Sequence, residues 1–146
     1  MPKMVIRATS ETAGVRTDTQ TGKHVITTDE PPNLGGTDAG PNPLELMLGA
    51  LAGCENVIAH MAAKEMAFEF DGIAFAIEAE FDPQGLMGNP DVRTYFERVT
   101  IDADVKTEEP DERIQELKEK VDSRCPIFGV LNAADVEMMS NWKRVE

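Results

Sequence analysis

The residues of this chain best suited to chemistry are its two cysteines. Cys54 sits in GALAGCENV and Cys125 in SRCPIFGVL, 71 positions later. A thiol reacts as its thiolate, in nucleophilic attack, metal binding or redox exchange, so its surroundings decide its role. Cys125 directly precedes Pro126, a residue suited to the first position of a helix, which makes Cys125 an N-cap. The helix N-terminus and the adjacent Arg124 both favour an anion, and the expectation is a lowered thiol pKa. Cys54 has the opposite setting. Its neighbours are small and apolar, which keeps a thiol inert unless another element supplies a cation. Arg16 and Arg7, in the N-terminal segment, are the candidate sources. On these grounds alone Cys54 reads as core. His24 and His60 could complete a tetrahedral zinc set with the two thiols, but no C-x-x-C or H-x-x-x-H spacing occurs. GGTDAG lacks the G-K-[ST] ending of a phosphate loop.

The elements that must position these residues can be read from the pattern. MVIRATS, GVRTDTQ and KHVITT predict short strands separated by the turn-prone SETAG and TGK. Residues 29–42, DEPPNLGGTDAGPN, form a long irregular loop, a type that is often functional in a small domain. A helix then begins, with Asn42 as cap, Pro43 at the first position and Glu45 at the third, the pattern of a capping box. It runs to about Met66. Met47, Ala50, Leu51, Val57, Ile58 and Met61 fall within about 60° of Cys54 on a helical projection. That stripe is apolar and predicts a buried face centred on Cys54. Gly49, Ala50, Ala52, Gly53, Ala59, Ala62 and Ala63 leave little side-chain bulk, so a neighbour packs close.

IAFAIEAEF and ERVTIDADVK alternate cleanly and predict half-buried strands. Between them, DPQGLMGNPDV is too long for a tight turn and carries Leu86 and Met87, read as a contact surface or flap. Residues 110–122 predict an amphipathic helix with Ile114, Leu117 and Val121 inside. A short helix follows Cys125, and DVEMMSNWK closes as a strand. This order predicts an α+β fold with a mainly antiparallel sheet and a long central helix. At about 36 Å the helix exceeds the width of a domain whose radius of gyration is near 15 Å, which points to an oligomer.

With 27 acidic and 14 basic residues among 146, the formal net charge is −13. Such a field repels phosphate backbones and anionic headgroups, so neither nucleic acid nor a membrane surface is the expected partner. No signal peptide is expected in MPKMVIRATSE, nor a window apolar enough for a membrane span, and the expected location is cytoplasmic.

GPNPLELMLGALAGC resembles the central-helix motif of the OsmC/Ohr proteins, the osmotically inducible and organic hydroperoxide resistance family, written G-x-x-P-x-E-L-L-x-A-A-x-x-x-C. SRCPIFGVL is similar to that family's second motif, C-P-V/I followed by a short helix. HVITTDEPPNLGG looks like the approach loop of its D-E-P subgroup. The resemblance covers essentially the whole chain and implies one OsmC-like domain over 1–146, forming an intertwined homodimer with sites at the interface. It implies a thiol peroxidase that reduces organic hydroperoxides with no cofactor or metal, regenerated by an external dithiol or thiol. By motif, Cys54 would be peroxidatic and Cys125 resolving.

One departure bears on activation. The resemblance implies an arginine on the peroxidatic thiolate, held by a glutamate directly after the helix-start proline. Leu44 occupies that place in this chain, and the carboxylate is Glu45, nine residues and half a turn of direction from Cys54. Arg16 matches one branch of the family by position. Glu45 and Arg16 are therefore the candidate activating pair, with a capping role competing for Glu45. The alternative function is a non-catalytic dimer that binds an apolar small molecule, its thiols idle or redox-sensing.

Overall fold

Polar strands with a glycine at each corner build the first part of the chain. The computed structural model describes residues 1–146, which divide into two compact units, Met1–Met47 and Leu48–Glu146. In the first, β1 (Thr9–Ala13), β2 (Arg16–Thr21) and β3 (His24–Thr28) form an antiparallel sheet in that order. Ala13 pairs with Arg16 and Thr21 with His24, which leaves two-residue corners at Gly14–Val15 and Gly22–Lys23. Gly14 and Gly22 have φ of +61° and +60°, the first-position requirement of a II′ hairpin turn.

The first strand lies further along than the predicted residues 4–10. Register explains the difference. Counting back from Gly14, Thr9 pairs with Gln20, and β2 then runs into its own corner. Residues 4–8 have no strand to join, and Met4 and Ile6 are 89% and 90% exposed.

The 29–42 loop is ordered by a single carboxylate. Buried Asp29 accepts hydrogen bonds from the Glu30, Thr37 and Ala39 amides and from the Thr37 hydroxyl, at 2.7–3.2 Å. These donors, the Thr37 hydroxyl first, lower its pKa to about 2. Gly36 is required because a Cβ there would lie 1.8 Å from the Glu30 carbonyl oxygen.

The long helix α1 (Pro43–Met66) starts where its sequence signals place it. The Glu45 amide donates to Asn42 Oδ1 at 2.8 Å, and the Asn42 amide donates to Glu45 Oε1 at 3.0 Å, a reciprocal capping box. Its packing face differs from the expectation. The buried residues are Leu51, Glu55, Ala59, Ala62 and Ala63, whereas Val57 and Met61 on the Cys54 side are 58% and 49% exposed. The helix is apolar nearly all round, so periodicity did not select one face. The alanine side wins because it allows close approach to the core. By length and composition α1 is also apolar enough to cross a membrane, contrary to the sequence expectation, and only 28% of its most apolar window is buried.

In the second unit, β4 (Gly72–Glu80), β5 (Arg98–Lys106) and β6 (Glu137–Val145) form a sheet with β5 central. β4 is antiparallel to β5, and β6 is parallel to it. The parallel pairing follows from the crossover between them, α3 (Asp111–Arg124) and α4 (Pro126–Ala133). The short α2 (Pro83–Leu86) sits in the β4–β5 connector, where Leu86 and Met87 are exposed. Alternation along β5 turns Val99, Ile101, Ala103 and Val105 inward. Ala103, Val105 and Trp142 meet Ala59, Ala62 and Ala63 of α1 and Ile114, Leu117 and Val121 of α3 in one core. The architecture is α+β, with two small sheets, one parallel pair and a long helix.

Candidate active site

Two helix segments bring the cysteines together. Cys54 lies midway along α1, and Cys125 caps the N-terminus of α4, where Pro126 takes the first helical position. The two Sγ atoms are 3.0 Å apart, with the Cys125 thiol donating to Cys54 Sγ. Both are free thiols; Cys125 is 2% exposed and Cys54 half-buried. Cys125 Sγ also accepts from the Phe128 amide at 3.4 Å.

The Cys125 pKa moves opposite to the expectation. Burial, followed by the bond to Cys54, pushes it up to about 12, and the amides of Phe128 and Ile127 offset only part of this. Arg124 gives no help, because its guanidinium makes a two-pronged ion pair with Glu65 of α1 at 2.8 and 3.2 Å. Desolvation outweighs the helix terminus. Cys125 is therefore held as a thiol, and its S–H is directed at Cys54 Sγ. Such an arrangement is chemically asymmetric: a more accessible sulfur stands within reach of a sequestered thiol that can close a disulfide with it.

The remaining predicted residues lie elsewhere in the bonding pattern. The carboxylate of Glu45 is engaged in the capping box. Arg16 pairs with Asp18 at 3.3 Å, both side chains more than 40% exposed. His24 is exposed, and His60 hydrogen-bonds the Asn56 carbonyl and lies tilted against Phe70 with ring centroids 4.8 Å apart. No three metal-ligating side chains gather in the chain.

Two carboxyls were missed. Glu55, next to Cys54, is fully buried, and neither of its oxygens has a hydrogen-bond partner. Burial, and then the charge of Asp122 on α3, raise its pKa to about 8. Asp122 is itself half-buried and shifted upward by burial, with its Oδ1 accepting from the Ser140 hydroxyl at 3.2 Å. The signal was present in the sequence: Glu55 is four residues from both Leu51 and Ala59, an acid in the middle of an apolar helix.

Solved structures resemble this fold along its whole length. An OsmC-like protein from Mycoplasma pneumoniae matches with a TM-score of 0.86 at 19% identity, covering 100% of both chains. An organic hydroperoxide resistance protein OsmC from Legionella pneumophila, also described as a predicted redox protein, matches at 0.70 and 16% identity over 100% of both. The organic hydroperoxide resistance protein OhrB of Bacillus subtilis matches at 0.67 and 20% identity, over 96% of this chain and 98% of its own. No curated protein matches the sequence significantly. The family model for OsmC-like proteins matches residues 36–139, a stretch that contains both cysteines and Glu45 but not Arg16. With that match over most of its length, the chain belongs to the OsmC-like protein family.

Proposed function

We propose that this protein is a cysteine-based peroxidase that reduces organic hydroperoxides to alcohols. The observation that carries the reading is the 3.0 Å approach of Cys54 and Cys125, with Cys125 held as a thiol. In the first step the Cys54 thiolate attacks the distal peroxide oxygen. An S–O bond forms, the O–O bond breaks, and the alkoxide leaves and takes a proton to become the alcohol. In the second, Cys125 sulfur attacks the Cys54 sulfenic acid. An S–S bond forms and hydroxide leaves as water with the Cys125 proton. An external dithiol or thiol then reduces the disulfide. The cycle as written uses no metal or organic cofactor.

The protein works, in this reading, as one cytoplasmic OsmC-like domain in a homodimer. Exposed Val57 and Met61, on the Cys54 side of α1, support a second copy covering that face and lending the site an apolar wall suited to an alkyl peroxide. Arg16 is the proposed cation for the Cys54 thiolate, released from Asp18, and Glu45 keeps its capping role.

The test is intact-mass spectrometry of the reduced protein after one equivalent of cumene hydroperoxide, with hydrogen peroxide in parallel. The expected result is loss of two hydrogens per chain, mapped to a Cys54–Cys125 peptide and formed faster with the organic peroxide. Unchanged thiols, or slow oxidation of Cys125 alone, would leave a non-catalytic ligand-binding dimer as the function.

A further inference from the structure

Glu55 is wholly buried on α1 with both carboxyl oxygens unpartnered, an arrangement that disfavours its charged form. Asp122 of α3 faces it, held by the Ser140 hydroxyl, which in turn accepts from the Trp142 indole N–H at 3.2 Å. The groups acting on this pair are few: Lys118 of α3 on Asp122, and Asp122 on Glu55. Two neighbouring carboxyls withdrawn from water resist ionising together, and their titration belongs to the pair.

The position of this pair gives it a function. Cys54 and Glu55 are consecutive on α1, with Cα atoms about 3.8 Å apart. Asp122 and Cys125 are three residues apart where α3 gives way to α4. The same two stretches of chain are thus joined by two rungs side by side, one of sulfur and one of carboxyl. A charge on one rung is felt on the other.

We propose that Glu55, kept neutral by burial and by the nearby Asp122, is a positioning residue for the Cys54 thiolate: neutral, it admits a negative sulfur beside it, and ionised, it opposes one. The inference rests on the peroxidase reading of Cys54. At an effective dielectric near 20, a like charge on the neighbouring residue shifts a thiol pKa by roughly one to two units. Burial and Asp122 place the Glu55 transition near pH 8, within the range over which thiols ionise.

The experiment is the pH dependence, from 6 to 10, of Cys54 alkylation by iodoacetamide in the reduced protein, with the two cysteines separated by peptide mass. In the parent, the Cys54 profile is expected to be broader than a single titration. In Glu55→Gln it becomes a single titration with its midpoint lower by roughly one to two units, whereas Asp122→Asn, which removes the charge that helps keep Glu55 neutral, moves the midpoint upward. Glu55→Gln superimposing on the parent overturns the proposal; should that variant not fold, Asp122→Asn decides by the same criterion. Alkylation requires no turnover. Absence of peroxide reduction with a shifted profile therefore refutes the peroxidase reading, whereas peroxide reduction with superimposed profiles refutes only the role of Glu55.

Discussion

The Arg124 guanidinium is gripped by both carboxylate oxygens of Glu65, at 2.8 and 3.2 Å, one residue before Cys125. The pair ties the end of α3 to α1 and neutralises the cation nearest in sequence to the thiol. Truncation in Arg124→Ala is expected to cost less than about 1 kcal/mol, since both partners are substantially exposed. Differential scanning calorimetry should show a fall in Tm of no more than roughly 3 °C. The alkylation profile of Cys125 should stay unchanged, and a slower reaction would show that Arg124 activates the thiol after all.

Cys125→Ser separates the two proposed chemical steps. One equivalent of cumene hydroperoxide should leave a Cys54 sulfenic acid that dimedone traps, with excess peroxide driving it to sulfinic acid. Peroxide consumption should then stop after a single turnover. Sustained turnover in this variant would show that Cys125 is not the resolving thiol.

The buried carboxyl of Glu55 makes stability fall with rising pH. Its folded pKa, about 8, is above the unfolded value of 4.5, so between these pH values the folded state holds a proton that the unfolded state has released. Stability is complete below about pH 4.5 with respect to this group and declines toward pH 8, by roughly 2–4 kcal/mol after allowance for relaxation and water access. Urea melts at pH 5, 7 and 9 should show this slope, and Glu55→Gln should flatten it. Equal slopes in the two proteins would mean that another group is titrating.

Asp29 acts in the opposite sense. Its pKa is lowered from 3.8 to about 2, so its hydrogen bonds to Thr37, Glu30 and Ala39 are retained above pH 4 and lost as pH falls through 2. Amide exchange in the 29–41 loop should rise over that window in the parent and be high throughout in Asp29→Ala. Gly36→Ala should give the same loosening at neutral pH, because its Cβ would collide with the Glu30 carbonyl.

The Asn42–Glu45 capping box supplies a test of local origin. Asn42→Ala removes one arm and should destabilise the protein by about 1 kcal/mol. Glu45→Gln should cost less, because an amide oxygen can still accept from the Asn42 N–H. A much larger loss of peroxide reduction than of stability in Glu45→Gln would instead assign the carboxylate to the site.

The sequence alone determined whatever depends on neighbours along the chain. The start of α1 at Asn42–Pro43, the alternation of β5, the glycine corners and the N-cap position of Cys125 are local, so residue type and spacing define them. The pairing of β6 alongside β5, the meeting of Cys54 with Cys125 and the capture of Arg124 by Glu65 link residues 39 to 71 positions apart. Neither periodicity nor propensity encodes those distances; the cysteine pairing was accessible only through family resemblance. The packed structure also decided which side of the all-apolar α1 is buried, because close approach of three alanines governs that choice more than total hydrophobicity. It likewise decided the protonation of Cys125 and Glu55, since desolvation is a property of the surrounding fold and of no residue by itself.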